Sequence, residues 1–243
     1  VNSTERFTTR AGAYVAARPS YPLEAIDAIL AGLGEPPALA VADVGAGTGI
    51  SSRLIAQRGP RVLAIEPNAA MRASADPDAR VEWIDGTAEA TTLATASVDA
   101  AVAFQAWHWV DHAAGVAELQ RIVRPGGALA AVYNERDESD PFTLAYGDIV
   151  RRFAQDRTEE RRVEALEAFA AIDPAHTTRV TFRNAKQLDR NGVHLRATSS
   201  SFLPQTGEAA TAMHAAIDEL LERFAAETYV MRLVTLVVRV ARS

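Results

Sequence analysis

Apolar residues along the chain fall into short blocks whose period switches between two and about 3.6, separated by glycine- or proline-rich punctuation. Pro22 opens the first helical block, in which Leu23, Ile26, Ile29, Leu30 and Leu33 share one face. Proline suits a first helical turn because its missing donor is not needed there. The apolar run ending at Val44 reads as a strand that passes into Gly45-Ala-Gly-Thr-Gly49, with a helix expected from Thr48 to Gln57. Arg61–Ile65, Val81–Ile84, Val98–Phe104 and Gly127–Tyr133 read as further strands. Ala113–Val123 has helical spacing and stops at Arg124-Pro-Gly-Gly127, which reads as a helix terminator and turn. Strands alternating with helices predict an α/β chain with a mostly parallel sheet.

The second half is more helical. A helix is expected from Pro141, carrying Phe142, Leu144, Ile149, Val150 and Phe153, and the charged stretch from Asp156 to Glu167 reads as a solvated helix face or a hinge. His176–Phe182 reads as a strand, with Arg179 and Arg183 as candidates for the mouth of a pocket. Asn184–Asn191 reads as a helix ended by a turn at Gly192. A long helix with Met213, Ile217, Leu220, Leu221 and Phe224 follows, and Arg232–Val240 reads as a returning strand.

The glycine turn carries the chemistry. A dinucleotide fingerprint needs glycine at the first, third and sixth positions. Here Gly45 and Gly47 fill the first and third, the extra glycine is Gly49, and the sixth position is Ile50. Asp43 lies where a pyrophosphate would meet its charge, so a ligand with a cationic end is the better match. Glu66 ends the second strand about twenty residues past the turn, where a carboxylate that accepts from both ribose hydroxyls is expected.

Five pieces in order, Asp43-Val-Gly-Ala-Gly-Thr-Gly49, Glu66-Pro67 with Met71, Gly86-Thr-Ala-Glu89, Ser97-Val-Asp-Ala100 and Leu119-Gln-Arg-Ile-Val-Arg-Pro-Gly-Gly127, closely resemble the class I S-adenosylmethionine-dependent methyltransferases. Tyr14-Val-Ala-Ala-Arg-Pro-Ser-Tyr-Pro22, Gln105-Ala-Trp-His-Trp109 and Asn134-Glu-Arg-Asp137 look like the small-molecule branch that contains trans-aconitate methyltransferase. The resemblance implies a Rossmann-like sheet flanked by helices, with an N-terminal arm over residues 1–37, a cofactor-binding core over 38–134 and substrate-side helices with antiparallel terminal strands over 135–243, all one domain. It implies S-adenosyl-L-methionine as cofactor and direct methyl transfer to a small acceptor, with oxygen the first expectation, nitrogen or carbon the alternatives, and a non-catalytic binding module the reading from another class.

The same resemblance assigns residues. Tyr14 and Arg18 belong to the arm, Tyr14 near the methionine portion of the cofactor and Arg18 against a carboxylate of cofactor or substrate. Gly45, Ala46 and Gly47 face the cofactor, Asp43 its ammonium and Glu66 its ribose. Pro67 and Met71 edge the adenine site, although Met71 reads equally well as core. Similar enzymes often carry aspartate where this chain has Thr87, which leaves Ala88 as the favoured adenine contact, with Thr87, Glu89 or Asp85 beside it. Phe104, Gln105 and Ala106 line the methionine channel. Trp107 and Trp109 are either a wall for the acceptor or core, and His108 either removes a proton from the acceptor or orients it. Tyr14 is a second candidate for that demand. Asn134 and the hydroxyls of Ser199, Ser200 and Ser201 complete the expected acceptor side, the serines being equally ordinary as loop residues.

Composition narrows the partners. Nearly half of the 243 residues are apolar and the formal net charge is −6, a mild argument against nucleic acid or an anionic membrane as the main partner. With no cysteine, a disulfide scaffold, a thiol nucleophile and a cysteine-ligated metal are excluded, and no metal-ligand constellation stands out. The opening residues lack an apolar signal core, and the apolar region near Leu233–Val240 is too short to span a bilayer, so a cytoplasmic small-molecule enzyme is expected.

Overall fold

The computed structural model describes residues 19–242. Its centre is a seven-stranded sheet: β1 Ala40–Val44, β2 Arg61–Ile65, β3 Val81–Ile84, β4 Val98–Phe104, β5 Val123–Arg136, β6 Thr177–Leu188 and β7 Tyr229–Ala241, in the spatial order β3-β2-β1-β4-β5-β7-β6. The first five strands are parallel, and β7 runs antiparallel between β5 and β6. Strand order reverses between β1 and β4, so their carboxyl ends open a crevice at the topological switch point.

Helices cover both faces. On one, α1 (Leu23–Leu30) and α2 (Ile50–Gln57) bring Ile26, Ile29 and Ile55 against Val41, Val62 and Val102. On the other, α4 (His112–Ile122) and α6 (Thr158–Ala170) bring Leu119, Ile122 and Phe169 against Ala42, Leu63 and Leu129, while the short α3 (Ala69–Ala73) follows β2. A separate apolar cluster joins α5 (Pro141–Phe153), α7 (Arg190–Thr198) and α8 (Gly207–Phe224) to β6 and β7 through Phe142, Val193, Met213, Ile217 and Leu233. The charged 156–167 stretch is thus mostly one helix, whose inner face buries Ala165, Leu166 and Phe169. Among the described residues no helix is long and apolar enough to cross a membrane.

Several boundaries differ from the sequence reading. The stretch 184–188 is strand, because β6 pairs with β7 continuously from Thr177↔Val240 to Leu188↔Tyr229, and that pairing outweighs local helical spacing. Gly192 opens α7 instead of ending a helix, its amide donating to the cap residue Asp189 at 2.6 Å. Arg124-Pro-Gly-Gly127 is absorbed into β5 as an irregularity: register jumps from Val98↔Val123 to Ala100↔Ala128, and Arg124 reaches back to Asp99 at 2.7 Å. Helix α2 starts at Ile50, two residues later than the spacing predicts, because Gly49 is left-handed, with φ 75°. Pro22 is the extended cap of α1, one position before its first turn.

Candidate functional site

Three segments meet at the switch point. The glycine turn leaves β1, Gln105 leaves β4, and Pro19 to Tyr21 cross from the segment entering α1. Together with Asn134 from β5 and Arg196 from α7 they line one pocket. Tyr21 sets its ring edge-on against Phe104, with centroids 4.7 Å apart. Gln105 holds φ 55°, a conformation that non-glycine residues adopt only when surrounding contacts enforce it. Here Gln105 donates its amide to Val132 O at 2.9 Å and its side-chain amide to Asn134 O at 3.1 Å.

The two key glycines differ. Gly45 has φ 71°, and a Cβ there would stand 2.7 Å from Ala106 Cβ, so Ala106 acts by packing against the turn. Gly47 has φ 59°, and a Cβ there would meet nothing within 4 Å: its open side faces space at the pocket. A turn that bares its backbone to an open cradle is built for close approach by a ligand.

Two carboxylates lie behind that turn. Asp43, completely buried, accepts from Ser51 at 2.7 Å and Ser52 at 2.6 Å through Oδ2, tying β1 to the first turn of α2. Its Oδ1 finds no partner among the described residues, and neither does the buried Thr48 hydroxyl in the same turn. Burial pushes the Asp43 carboxyl up to about 6, against the pull of the two serines and with a further push from Glu66. Glu66 is nearly buried. Its Oε2 accepts the Gly47 amide at 2.9 Å and its Oε1 the Asn68 amide at 2.8 Å. Burial raises its pKa too, partly offset by those amides and by Arg72.

The adenine-side candidates form a compact edge. Asn68 caps α3 by accepting from Ala70 and Met71, Met71 is buried, and Pro67 is half-buried. Thr87 and Ala90 exchange backbone hydrogen bonds at 3.2 Å, closing a tight loop in which Ala88 turns its side chain into the core. Glu89 accepts from the Asp111 amide at 2.9 Å, so it fastens this loop to the start of α4. Asp85 is exposed and paired with Arg72 at 3.1 Å.

The acceptor-side candidates are rearranged. Trp107 does not line the pocket. It is fully buried, edge-on to Phe169 with centroids 5.1 Å apart, and a Cβ on Gly115 would stand 2.9 Å from its ring. The tight turn after Gln105 swings it into the space under α6. Trp109 is half-buried beneath the Arg161 guanidinium, 5.1 Å from its ring centre, and is also outside the pocket lining. His108 Nδ1 lies 3.1 Å from the hydroxyl of the fully buried Tyr133, and the His108 amide donates to that same oxygen. Burial raises the Tyr133 pKa, so the hydroxyl keeps its proton. The hydroxyl oxygen and Nδ1 thus share one hydrogen bond, whose direction depends on the imidazole tautomer. Ser199 and Ser200 point their hydroxyls at Arg196 O and close the end of α7, Ser201 lies in the turn beyond, and none of the three lines the pocket. Arg179 is held by Glu167 at 2.9 and 2.7 Å. Tyr14 and Arg18 lie outside the described residues.

Sequence reading missed Arg196, the only formally charged residue among the described pocket-lining set. A signal existed: Arg196 follows the buried Val193 at the i,i+3 spacing that brings two side chains to one side of α7. Among the described residues, Asn134 is the one expected on the acceptor side that lines the pocket.

The reversed strand order, the antiparallel β7 and the turn at Gly45 to Gly49 define the class I methyltransferase fold, and residues 42–131 match the family described as a methyltransferase domain. That stretch of the chain is similar to this family. An uncharacterized methyltransferase of Mycobacterium tuberculosis is 42% identical over 152 residues, 60% of this chain and 59% of the relative, so the match spans about three-fifths of that relative's length. Trans-aconitate 2-methyltransferase of an Azoarcus species is 38% identical over 97 residues, 38% of each chain. A solved structure from Anaeromyxobacter dehalogenans, described as a candidate type II methyltransferase, superposes with a TM-score of 0.67 at 25% identity, covering 93% of this chain and 97% of that one.

Proposed function

We propose that this protein binds S-adenosyl-L-methionine at the glycine turn and transfers its methyl group to an oxygen of a small-molecule acceptor. One observation carries the cofactor assignment: a buried carboxylate oxygen without a partner, Asp43 Oδ1, behind a turn whose Gly47 side is open. A buried anion with a spare acceptor suits a cationic ligand and repels a pyrophosphate. Glu66 keeps acceptor capacity beyond the two amides it already receives, which suits ribose hydroxyls. The cofactor supplies a methyl group already activated by a positive sulfonium. The chain's own residues position it, with Gln105 and the glycine turn forming the floor and Tyr21 and Phe104 excluding water.

Arg196 favours oxygen as the acceptor atom. A guanidinium lining the pocket pairs with a carboxylate-bearing acceptor, and a carboxylate is a nucleophile that needs no general base. His108 then serves to orient the acceptor and is not needed as a base. The test combines calorimetry with isotopically labelled S-adenosylmethionine and a metabolite extract, analysed by mass. Label in an ester that base hydrolyses supports the reading, whereas label fixed to nitrogen or carbon selects those alternatives. Saturable binding with no transfer across candidate acceptors favours a binding module. Arg196→Ala is expected to lose transfer while keeping cofactor affinity. Equal loss of affinity would assign the guanidinium to the cofactor's own carboxylate.

A further inference from the structure

Ser20 lies two residues before the cap of α1, and its neighbours Pro19 and Tyr21 both line the pocket. Its carbonyl is gripped from the far end of the chain. Asn134 Nδ2 donates to it at 3.2 Å across 114 residues of sequence, and Asn184 Nδ2 donates at 2.7 Å across 164. Behind these two, Thr235 donates its hydroxyl to Asn134 Oδ1 at 2.5 Å, and Asn184 bridges to Asn134 Oδ1 at 3.1 Å and to Thr235 Oγ1 at 3.3 Å.

The three side chains come from three adjacent strands. Asn134 of β5 stands opposite Thr235 of β7, and Asn184 of β6 lies two positions from the β6 residue facing Thr235. Thr235 is fully buried and Asn134 almost so, in a region where an unpaired amide is costly. The Asn134 backbone carbonyl continues the network into the pocket floor, accepting from Gln105 Nε2 at 3.1 Å. Buried polar networks of this kind fix one geometry because each member satisfies another.

We infer that Asn134, Asn184 and Thr235 form a three-strand latch that holds the segment entering α1 across the pocket and thereby sets how long the cofactor stays bound. Asn184 and Thr235 are positioning residues, acting through Ser20 on Pro19 and Tyr21. The inference rests on the cofactor assignment proposed above for its effect on residence, but not for the tether itself. It also gives the terminal strands a task at the site: two of the three latch residues come from the antiparallel pair β6 and β7.

Two readouts on the full chain test it: hydrogen exchange of the peptide covering residues 19–25, which needs no ligand, and the dissociation rate of S-adenosylhomocysteine. Asn184 is only half-buried, so Asn184→Ala is expected to fold with a near-native thermal midpoint. Its expected effects are faster exchange in 19–25 and faster cofactor release, each by about 3- to 10-fold, the scale of one lost hydrogen bond, with exchange in β1 and β2 unchanged. Thr235→Ser keeps the hydroxyl and should restore wild-type values, whereas Thr235→Val should resemble Asn184→Ala. Unchanged exchange in folded Asn184→Ala overturns the latch, and faster exchange with unchanged release overturns its control of residence. If the wild-type protein binds no cofactor, faster exchange still supports the tether, and it is the cofactor assignment that fails.

Discussion

The amide of Gly47 donates to Glu66 Oε2 at 2.9 Å, so the turn after β1 and the acid after β2 are one structural unit before any ligand arrives. The ribose candidate also shapes the loop expected to meet the methionine portion, and a change at either residue is felt at both.

Glu66→Gln is therefore expected to weaken binding of S-adenosylmethionine. The substitution keeps size but removes the charge, and it can turn an amine toward the Gly47 or Asn68 amide. Calorimetry should read a loss of about 1–3 kcal/mol, the range for a hydrogen bond to a charged group. Wild-type affinity in the folded variant would refute the assignment.

Gly45 and Gly47 should respond differently to alanine. Both have positive φ, so each substitution costs about 1–2 kcal/mol of backbone strain. Gly45→Ala adds a clash with Ala106 at 2.7 Å, whereas a methyl on Gly47 enters open space. Gly45→Ala should lower the thermal midpoint more, while Gly47→Ala should stay folded and lose cofactor affinity. Equal midpoints, or full affinity in Gly47→Ala, would contradict this geometry.

Asp43 makes stability depend on pH with a definite sign. Its carboxyl is raised from 3.8 to about 6 by burial, so its favourable contribution is complete below 3.8 and is lost as pH rises through 6. At neutral pH the buried charge costs about 3 kcal/mol. Asp43→Asn should melt higher than wild type near pH 8, with the gap closing toward pH 4, and should bind the cationic cofactor less tightly. Parallel melting curves across that window would falsify the linkage.

The pair His194 and His214 works in the opposite direction. Their Nδ1 atoms are 2.7 Å apart, which requires a single shared proton, while His194 Nε2 faces Asp218 at 3.2 Å and Arg190 also holds Asp218, with Glu222 3.9 Å from that guanidinium. Burial, and then His194, push His214 below its usual 6.5. A depressed value means that stability is present above 6.5 and lost as pH falls through the folded value. His214→Gln should flatten the fall in thermal midpoint between about pH 7 and 5, relative to wild type. An identical fall in both proteins would remove the pair as the cause.

Trp107 and His108, adjacent in sequence, should separate in experiment. Trp107→Ala removes a fully buried ring and should destabilise the fold by about 3–5 kcal/mol in denaturant titration. His108→Asn should remain folded, retain cofactor affinity and reduce transfer. Transfer at the wild-type rate across pH would exclude both an essential base and an essential orienting group.

The sequence by itself determined the parallel half of the sheet and the glycine turn with the acid beside it. Those features are local: a strand, a glycine turn and an acid at fixed spacing dictate where backbone can bend and where a carboxylate must fall. Asp43, Gly45, Gly47 and Glu66 needed no partner beyond a few dozen residues. Tertiary structure decided the rest. The stretch 184–188 became strand because β7 offered twelve positions of pairing, and Trp107 became core because α6 packed over it. The serines after α7 turned to their own helix, while Arg196, three residues earlier, reached the pocket. The grip of Asn134 and Asn184 on Ser20 spans more than a hundred residues, and side chains that meet only when β5, β6 and β7 align leave no period or spacing to read.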